Sequence, residues 1–141
     1  MEVLVTKVDA VRDHGDTLTI VTVGEHEVVA NKHEDGTPRW VAGEHVIYVP
    51  EGAIVPDSVL QERGYWDNEK NKGLLEGKKG NRVKMRRFAG FESRGLLFKL
   101  GTVIGEAGVE VDIVEHAGSK EEVFIGDDVA FFLGITEYIP N

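Results

Sequence analysis

The stretch Val41-Ala42-Gly43-Glu44-His45-Val46-Ile47-Tyr48-Val49-Pro50 decides how the chain is read. A turn glycine and an acid lead into a short apolar run. Pro50 closes that run, because proline offers a β-ladder no donor. Upstream, Thr17 to Val23 (TLTIVTV) alternates and is rich in β-branched residues, which predicts a strand. It is expected to pair, across the turn-forming His14-Gly15-Asp16, with a strand that carries Val3, Val5, Val8 and Val11. His26 to Ala30 extends or follows it, and Asn31-Lys32-His33-Glu34-Asp35-Gly36 reads as a turn.

Downstream of Pro50 the pattern changes. Pro56-Asp57-Ser58-Val59-Leu60-Gln61-Glu62-Arg63-Gly64 has proline at its start and glycine past its end, which predicts a short helix near 56–63. Residues 67–81 are polar and contain Gly73, Gly77 and Gly80, so a mobile loop is expected there. Two strands follow, Arg82 to Phe88 and Ser93 to Lys99. In the first, alternation sends Val83 and Met85 one way and Arg82, Lys84 and Arg86 the other. Gly90 and Gly95 suggest a bend or a close approach of two backbones. The tail holds one more strand, Val109 to Glu115, and a second helix near 127–133, capped by Asp127 or Asp128 and stopped by Gly134. The fold class is therefore mainly β. Several short strands with small helices among them predict a small β-barrel, best matched by the oligonucleotide-binding (OB) type. At 141 residues and 15.6 kDa the chain supports one such domain over 1–141.

Composition narrows the function classes. Hydrophobic residues make up 41% and charged residues 29%, the balance of a soluble globule. The longest stretches without a formal charge, Thr17–Gly24 and Val129–Thr136, are eight residues long, too short for a membrane span. The N-terminus shows no secretory leader. Without cysteine there is no disulfide, thiolate nucleophile or cysteine-bound zinc. A cytoplasmic setting is expected.

The net charge of −9 hides a strong asymmetry. Lys70 to Lys99 contains ten basic residues against Glu76 and Glu92, a balance of +8, while the rest of the chain carries 6 basic and 23 acidic residues, or −17. Such a concentration makes either a polyanion site or a solvated basic loop paired with neighbouring acids. The candidate binding residues are Arg82, Lys84, Arg86, Arg87 and Arg94, with Lys78, Lys79 and Lys99 at the margin. Phe91 and Trp66 are possible stacking platforms, although Phe88 and Phe91 read first as core and Trp40 as a cover for the barrel end. No catalytic constellation emerges. His14, His26, His33, His45 and His116 lack ligand spacing, Ser58, Ser93 and Ser119 lie in no nucleophile elbow, and no phosphate-cradling glycine motif is present. Asp127-Asp128 is explained as a cap, so neither catalytic residues nor a metal site are assigned.

Three blocks in order carry a resemblance. They are Ala42-Gly43-Glu44-His45-Val46-Ile47-Tyr48-Val49-Pro50-Glu51-Gly52-Ala53-Ile54-Val55-Pro56, then Gly80-Asn81-Arg82-Val83-Lys84 with Gly90-Phe91-Glu92-Ser93-Arg94-Gly95-Leu96, then Gly126-Asp127-Asp128-Val129 with Leu133-Gly134-Ile135-Thr136-Glu137-Tyr138. Together they resemble the N-terminal module of the Deinococcus-type ATP-dependent RNA ligases, which also occur in bacteriophages, over nearly the whole of Val3 to Pro140. The resemblance implies an OB barrel that precedes a nucleotidyltransferase domain and engages nicked RNA or RNA/DNA duplex. It further implies that ATP and a divalent metal belong to that catalytic domain, whose lysine joins a 3′-hydroxyl to a 5′-phosphate through an adenylate. The Lys-x-Asp-Gly motif is absent here: His33-Glu34-Asp35-Gly36 lacks the lysine and Lys70-Asn71-Lys72-Gly73 the aspartate. The chain is thus expected to be a fragment or free-standing copy, without ligase activity of its own and without a cofactor. Two positions depart from the family pattern. Ala89 stands for an arginine and removes a cation, and Arg94 stands for a glutamine and adds one.

Two functions follow. In the first, the barrel grips phosphate backbone around a nick. In the alternative, it is a protein-interaction barrel that docks a separate partner such as a ligase catalytic subunit.

Overall fold

The computed structural model describes residues 1–140. The first half runs β1 (Leu4–Lys7), β2 (Ala10–His14), β3 (Leu18–Val23), β4 (His26–Asn31), β5 (His45–Val49) and β6 (Ala53–Ile54). After α1 (Asp57–Arg63) come β7 (Trp66–Asp67), β8 (Lys72–Gly73), β9 (Arg86–Phe88), β10 (Phe91–Ser93) and β11 (Leu96–Lys99). The chain closes with β12 (Gly101–Ile104), β13 (Glu110–His116), β14 (Ser119–Glu122), α2 (Ala130–Leu133) and β15 (Thr136–Glu137). The pairings are antiparallel. They give three-stranded sheets β1-β5-β11, β2-β3-β4 and β12-β13-β14, and the pairs β9–β10, β6–β15 and β7–β8.

The apolar run before Pro50 becomes β5, the central strand of its sheet. Successive side chains of a strand point to opposite faces, and β5 buries both. Ile47 and Val49 pack into one core with Val3, Val5, Leu60, Phe98 and Leu133, while Val46 and Tyr48 pack into a second with Val8, Val21, Trp40 and Leu97. Each such side chain contributes about 1.5–3 kcal/mol on burial. The neighbouring β11 follows suit, with Phe98 in the first core and Leu97 in the second.

Both helices are short and set by their ends. Pro56 precedes α1, Val59 and Leu60 face the core, and Gly64 ends it at φ +83°. Asp128 Oδ1 accepts from the amides of Ala130 and Val3, each at 3.0 Å, so one carboxylate starts α2 and ties it to the N-terminal strand. Gly134 closes α2 in the left-handed region.

The mainly β class with two short helices is as expected, but the hydrogen-bonded ladders do not close into one barrel among the described residues. At the seam between β4 and β10 the ladder is replaced by single bonds: the Arg94 amide to the Glu27 carbonyl, and the Val29 amide to Ser93 Oγ. The strand expected over 82–88 is also shorter, with only Arg86–Phe88 in a ladder. Upstream of it, the Arg82 and Val83 amides donate to Glu76 and Ala53 carbonyls. The first strand breaks at Val8-Asp9, whose amides turn to Glu44 and Thr22. Residues 67–81 include most of the β7–β8 hairpin, which begins at Trp66, and the Leu74 and Leu75 amides bond to the Tyr65 and Gly80 carbonyls. Gly73 and Gly80 meet backbone to backbone there, and a Cβ on either would collide with the other's carbonyl.

Tyr48 fastens the β10–β11 junction. Its hydroxyl donates to the Arg94 carbonyl at 2.7 Å, and Gly95, at φ +105°, leaves room for the ring where a Cβ would come within 2.5 Å of Oη. Burial, reinforced by Glu51 and opposed by Arg94, pushes the phenol up to about 12. The fold favours the neutral form. This stability is fully present below the ordinary value of 10 and is lost as pH rises through about 12. Ultraviolet titration of the folded protein should show a late tyrosinate step that Tyr48→Phe deletes. The same substitution should cost about 1 kcal/mol in urea unfolding, and a spectrum with no late step would refute this account.

Candidate nucleic-acid interface

A groove of about 810 Å3 runs between the β4–β11 wall and the segment from Leu74 to Phe88. Its rim carries Arg39, Arg63, Arg82, Lys84, Arg86 and Lys99, with Glu62 and Glu76 as the carboxylates among its lining residues. The floor is apolar and aromatic, including Tyr65, Leu74, Leu75, Phe88 and Leu96. Concave, low-dielectric walls lined by one sign of charge focus potential toward an incoming polyanion.

Of the residues singled out by sequence, Arg82, Lys84, Arg86 and Lys99 line this groove, whereas Arg87, Arg94, Lys78 and Lys79 do not. Arg87 and Arg94 sit on and just after the β9–β10 hairpin in a network with acids. Arg87 reaches Glu92 at 3.1 Å, and Arg94 reaches Glu92 at 2.8 Å and Glu51 at 3.2 Å. Hydrogen bonds to Glu92 and Glu51 raise the Arg94 guanidinium further above its already high range. Of the groove-lining cations, Arg86 pairs with Glu76 at 3.1 Å in the groove, whereas Lys99 pairs with Glu44 at 3.8 Å and Arg82 stacks on Tyr138 with Cζ 4.0 Å from the ring centre, both partners outside the lining. Lys78, Lys79 and Lys84 have no carboxylate within 4.0 Å among the described residues. The paired cations remain exposed, and exposed pairs are worth about 0–1 kcal/mol. A phosphate can therefore replace a carboxylate at little cost.

The aromatic candidates fall elsewhere. Phe91 is half-buried, edge-on to His14 at 5.6 Å and with Arg12 Cζ at 5.6 Å. Trp66 is half-buried against the first core. Trp40 is 6% exposed and lies under the Lys99 ammonium at 5.5 Å. The groove cations that sequence reasoning missed, Arg39 and Arg63, lie outside the basic segment and join it only through the tertiary fold. Between β9 and β10, Ala89 and Gly90 both take positive φ (50° and 81°), as a two-residue hairpin turn requires. The His14 Nε2–H donates to the Phe88 and Ala89 carbonyls there.

A second, smaller hollow adjoins the groove, lined by Glu62, Arg63, Lys99, Glu115 and His116. The His116 Nδ1–H donates to Glu62 at 2.9 Å and the Ala117 amide at 3.0 Å, and the histidine bond leads in holding the Glu62 carboxyl below its usual range. His45 pairs with Asp112 at 2.6 Å. The two clasps fasten β13 to α1 and β5. Among the described residues no three metal-ligating side chains converge, and no helix is long and apolar enough to cross a membrane.

No protein-family model matches the sequence, and no curated protein does. Solved structures of Naegleria gruberi RNA ligase are similar to it. A variant with ATP and Mn superposes at TM-score 0.63 and 17% identity, over 98% of this chain and 35% of that one. The enzyme with PPi superposes at 0.60 and 19%, over the same shares. The fold is thus RNA ligase-related, and the chain spans about a third of the length of these neighbours.

Arg63 joins the two hollows. Its guanidinium lies over Phe98, with Cζ 5.2 Å from the ring centre, and donates to the carbonyls of Lys99 at 2.5 Å and Glu115 at 3.4 Å. Burial lowers its pKa from the usual arginine range. A lysine lacks the fork that reaches both carbonyls. Arg63→Lys should therefore cost about 1–2 kcal/mol in urea unfolding, against less than about 0.5 kcal/mol for Lys84→Ala. Equal stability of the two variants would contradict this role.

Proposed function

We propose that this chain is a nucleic-acid-binding module of an RNA ligase, related to the OB modules of the Deinococcus-type and phage enzymes. It grips the phosphate backbone around a nick in RNA or RNA/DNA duplex. The observation that carries this reading is the groove whose rim gathers Arg39, Arg82, Lys84, Arg86 and Lys99 over an apolar floor. Arg87, Arg94, Lys78 and Lys79 extend the positive field beyond the groove. The RNA ligase-related fold supports the same reading, and the β1-β5-β11 and β2-β3-β4 sheets wrapped about two cores fit an open relative of the OB barrel. Joining a 3′-hydroxyl to a 5′-phosphate falls in this scheme to a nucleotidyltransferase domain that binds ATP and a divalent metal. The present module supplies position and electrostatic grip.

A second reading, that the module docks a separate partner such as a ligase catalytic subunit, is favoured by apolar side chains left exposed in and after α2. Phe131 is 98% exposed and Ile139 78%. Co-purification of a nucleotidyltransferase polypeptide, with no nucleic-acid binding by the module alone, distinguishes it.

Anisotropy titration with nicked duplex at several salt concentrations tests the first reading. With about four phosphate contacts the slope of log K against log salt should be roughly −3 to −4. Reversal of Arg82, Lys84, Arg86 and Arg94 to glutamate should abolish the salt-dependent binding. Affinity indifferent to salt, or retained in the reversed protein, refutes the proposal. Incubation with radiolabelled ATP should leave no covalent adenylate on the chain.

A further inference from the structure

The floor of the groove asks for more than phosphate. A paired, stacked duplex presents sugar and phosphate on its outside, and its bases offer no flat apolar face to a wall beside it. Cations on an open, polar surface are sufficient for that ligand. Here the cationic rim instead borders a concave bed in which Leu74 is 45% exposed and Tyr65, Leu75, Phe88 and Leu96 are half-buried. Such a bed is complementary to a chain that alternates charge with flat apolar rings, as unpaired nucleotides do. Arginine supplies much of the rim, and its planar guanidinium serves both elements, forking to phosphate and stacking on a base. Arg82 already stacks in this manner on Tyr138.

Resting on the binding reading above, we infer that the groove takes unpaired nucleotides, a single-stranded run or a frayed end beside the nick, with their bases on the Tyr65–Leu74 side of the floor and their phosphates toward Lys84, Arg86 and Arg39. The duplex flanking them meets the cations outside the groove. An acidic peptide with apolar side chains shares part of this chemistry. The RNA ligase-related fold and the arginine-rich rim favour the nucleotide.

The test compares short labelled RNAs with equal phosphate counts: a single strand, the same strand with abasic positions, and a blunt duplex, each titrated by anisotropy with the whole chain. The single strand should bind about tenfold more tightly than the abasic strand, at the same salt slope. Leu74→Ser, at a position 45% exposed, should remove most of that difference. Tyr65→Phe, which keeps the ring, should preserve it. Equal affinity for the base-bearing and abasic strands overturns the inference while the phosphate-gripping reading stands, and so does a preference for the blunt duplex. No binding by any of the three overturns both. Displacement of the single strand by an acidic apolar peptide at lower concentration than by unlabelled RNA also counts against it.

Discussion

One strand divides this molecule into its working parts. β5 lies between β1 and β11 and sends alternate side chains into two separate cores, so a single five-residue element with both faces apolar holds the β2-β3-β4 sheet on one side and α1, α2 and the N-terminal strand on the other. A strand of this kind tolerates no register slip, because a shift of one residue exchanges the occupants of both cores. The groove depends on it directly. Its walls are β11, which pairs with β5, and the Leu74–Phe88 segment, whose Val83 packs in the first core.

Electrostatically, the chain keeps an excess of acid and a concentration of base within reach of each other. The arginines of the β9–β10 hairpin lean on Glu51 and Glu92, and Arg86 leans on Glu76. These contacts hold long side chains in place without burying them. For the phosphate ligand proposed above, these carboxylates would set a threshold that a ligand of low charge density does not pass and a run of phosphates does. The excess of acid elsewhere would keep the rest of the surface from competing for that proposed ligand.

Much of the fold was legible because its signals are local. The alternation of TLTIVTV, the proline and glycine bounding α1, and the aspartate before α2 each act within a few residues. β12 and β14 went unread: Gly101–Ile104 is exposed throughout and Ser119–Glu122 carries no apolar face, so neither leaves a burial pattern in the sequence. The failure of the ladders to close has a similar origin. At the seam, β4 and β10 share the Arg94–Glu27 and Val29–Ser93 bonds in place of a ladder, beside the fit of Gly95 to the Tyr48 ring, and these contacts join residues 47 to 67 positions apart. The basic segment was visible as composition, but its division between groove and hairpin was not. Arg39 and Arg63 could be added only once the chain had folded back on itself.

The Asp128 carboxylate has a consequence for how the protein is made. It accepts from Val3, 125 residues earlier in the chain, and Leu133 beside it fills the core that Val3 and Val5 also line. As the polypeptide leaves the ribosome, β1 and β5 emerge with their apolar faces complete long before the residues that cover one of them exist. Early stretches must therefore wait in a partly assembled state until Asp128 and Leu133 have emerged. Contacts this far apart in sequence slow folding and lengthen the exposure of unpaired strands.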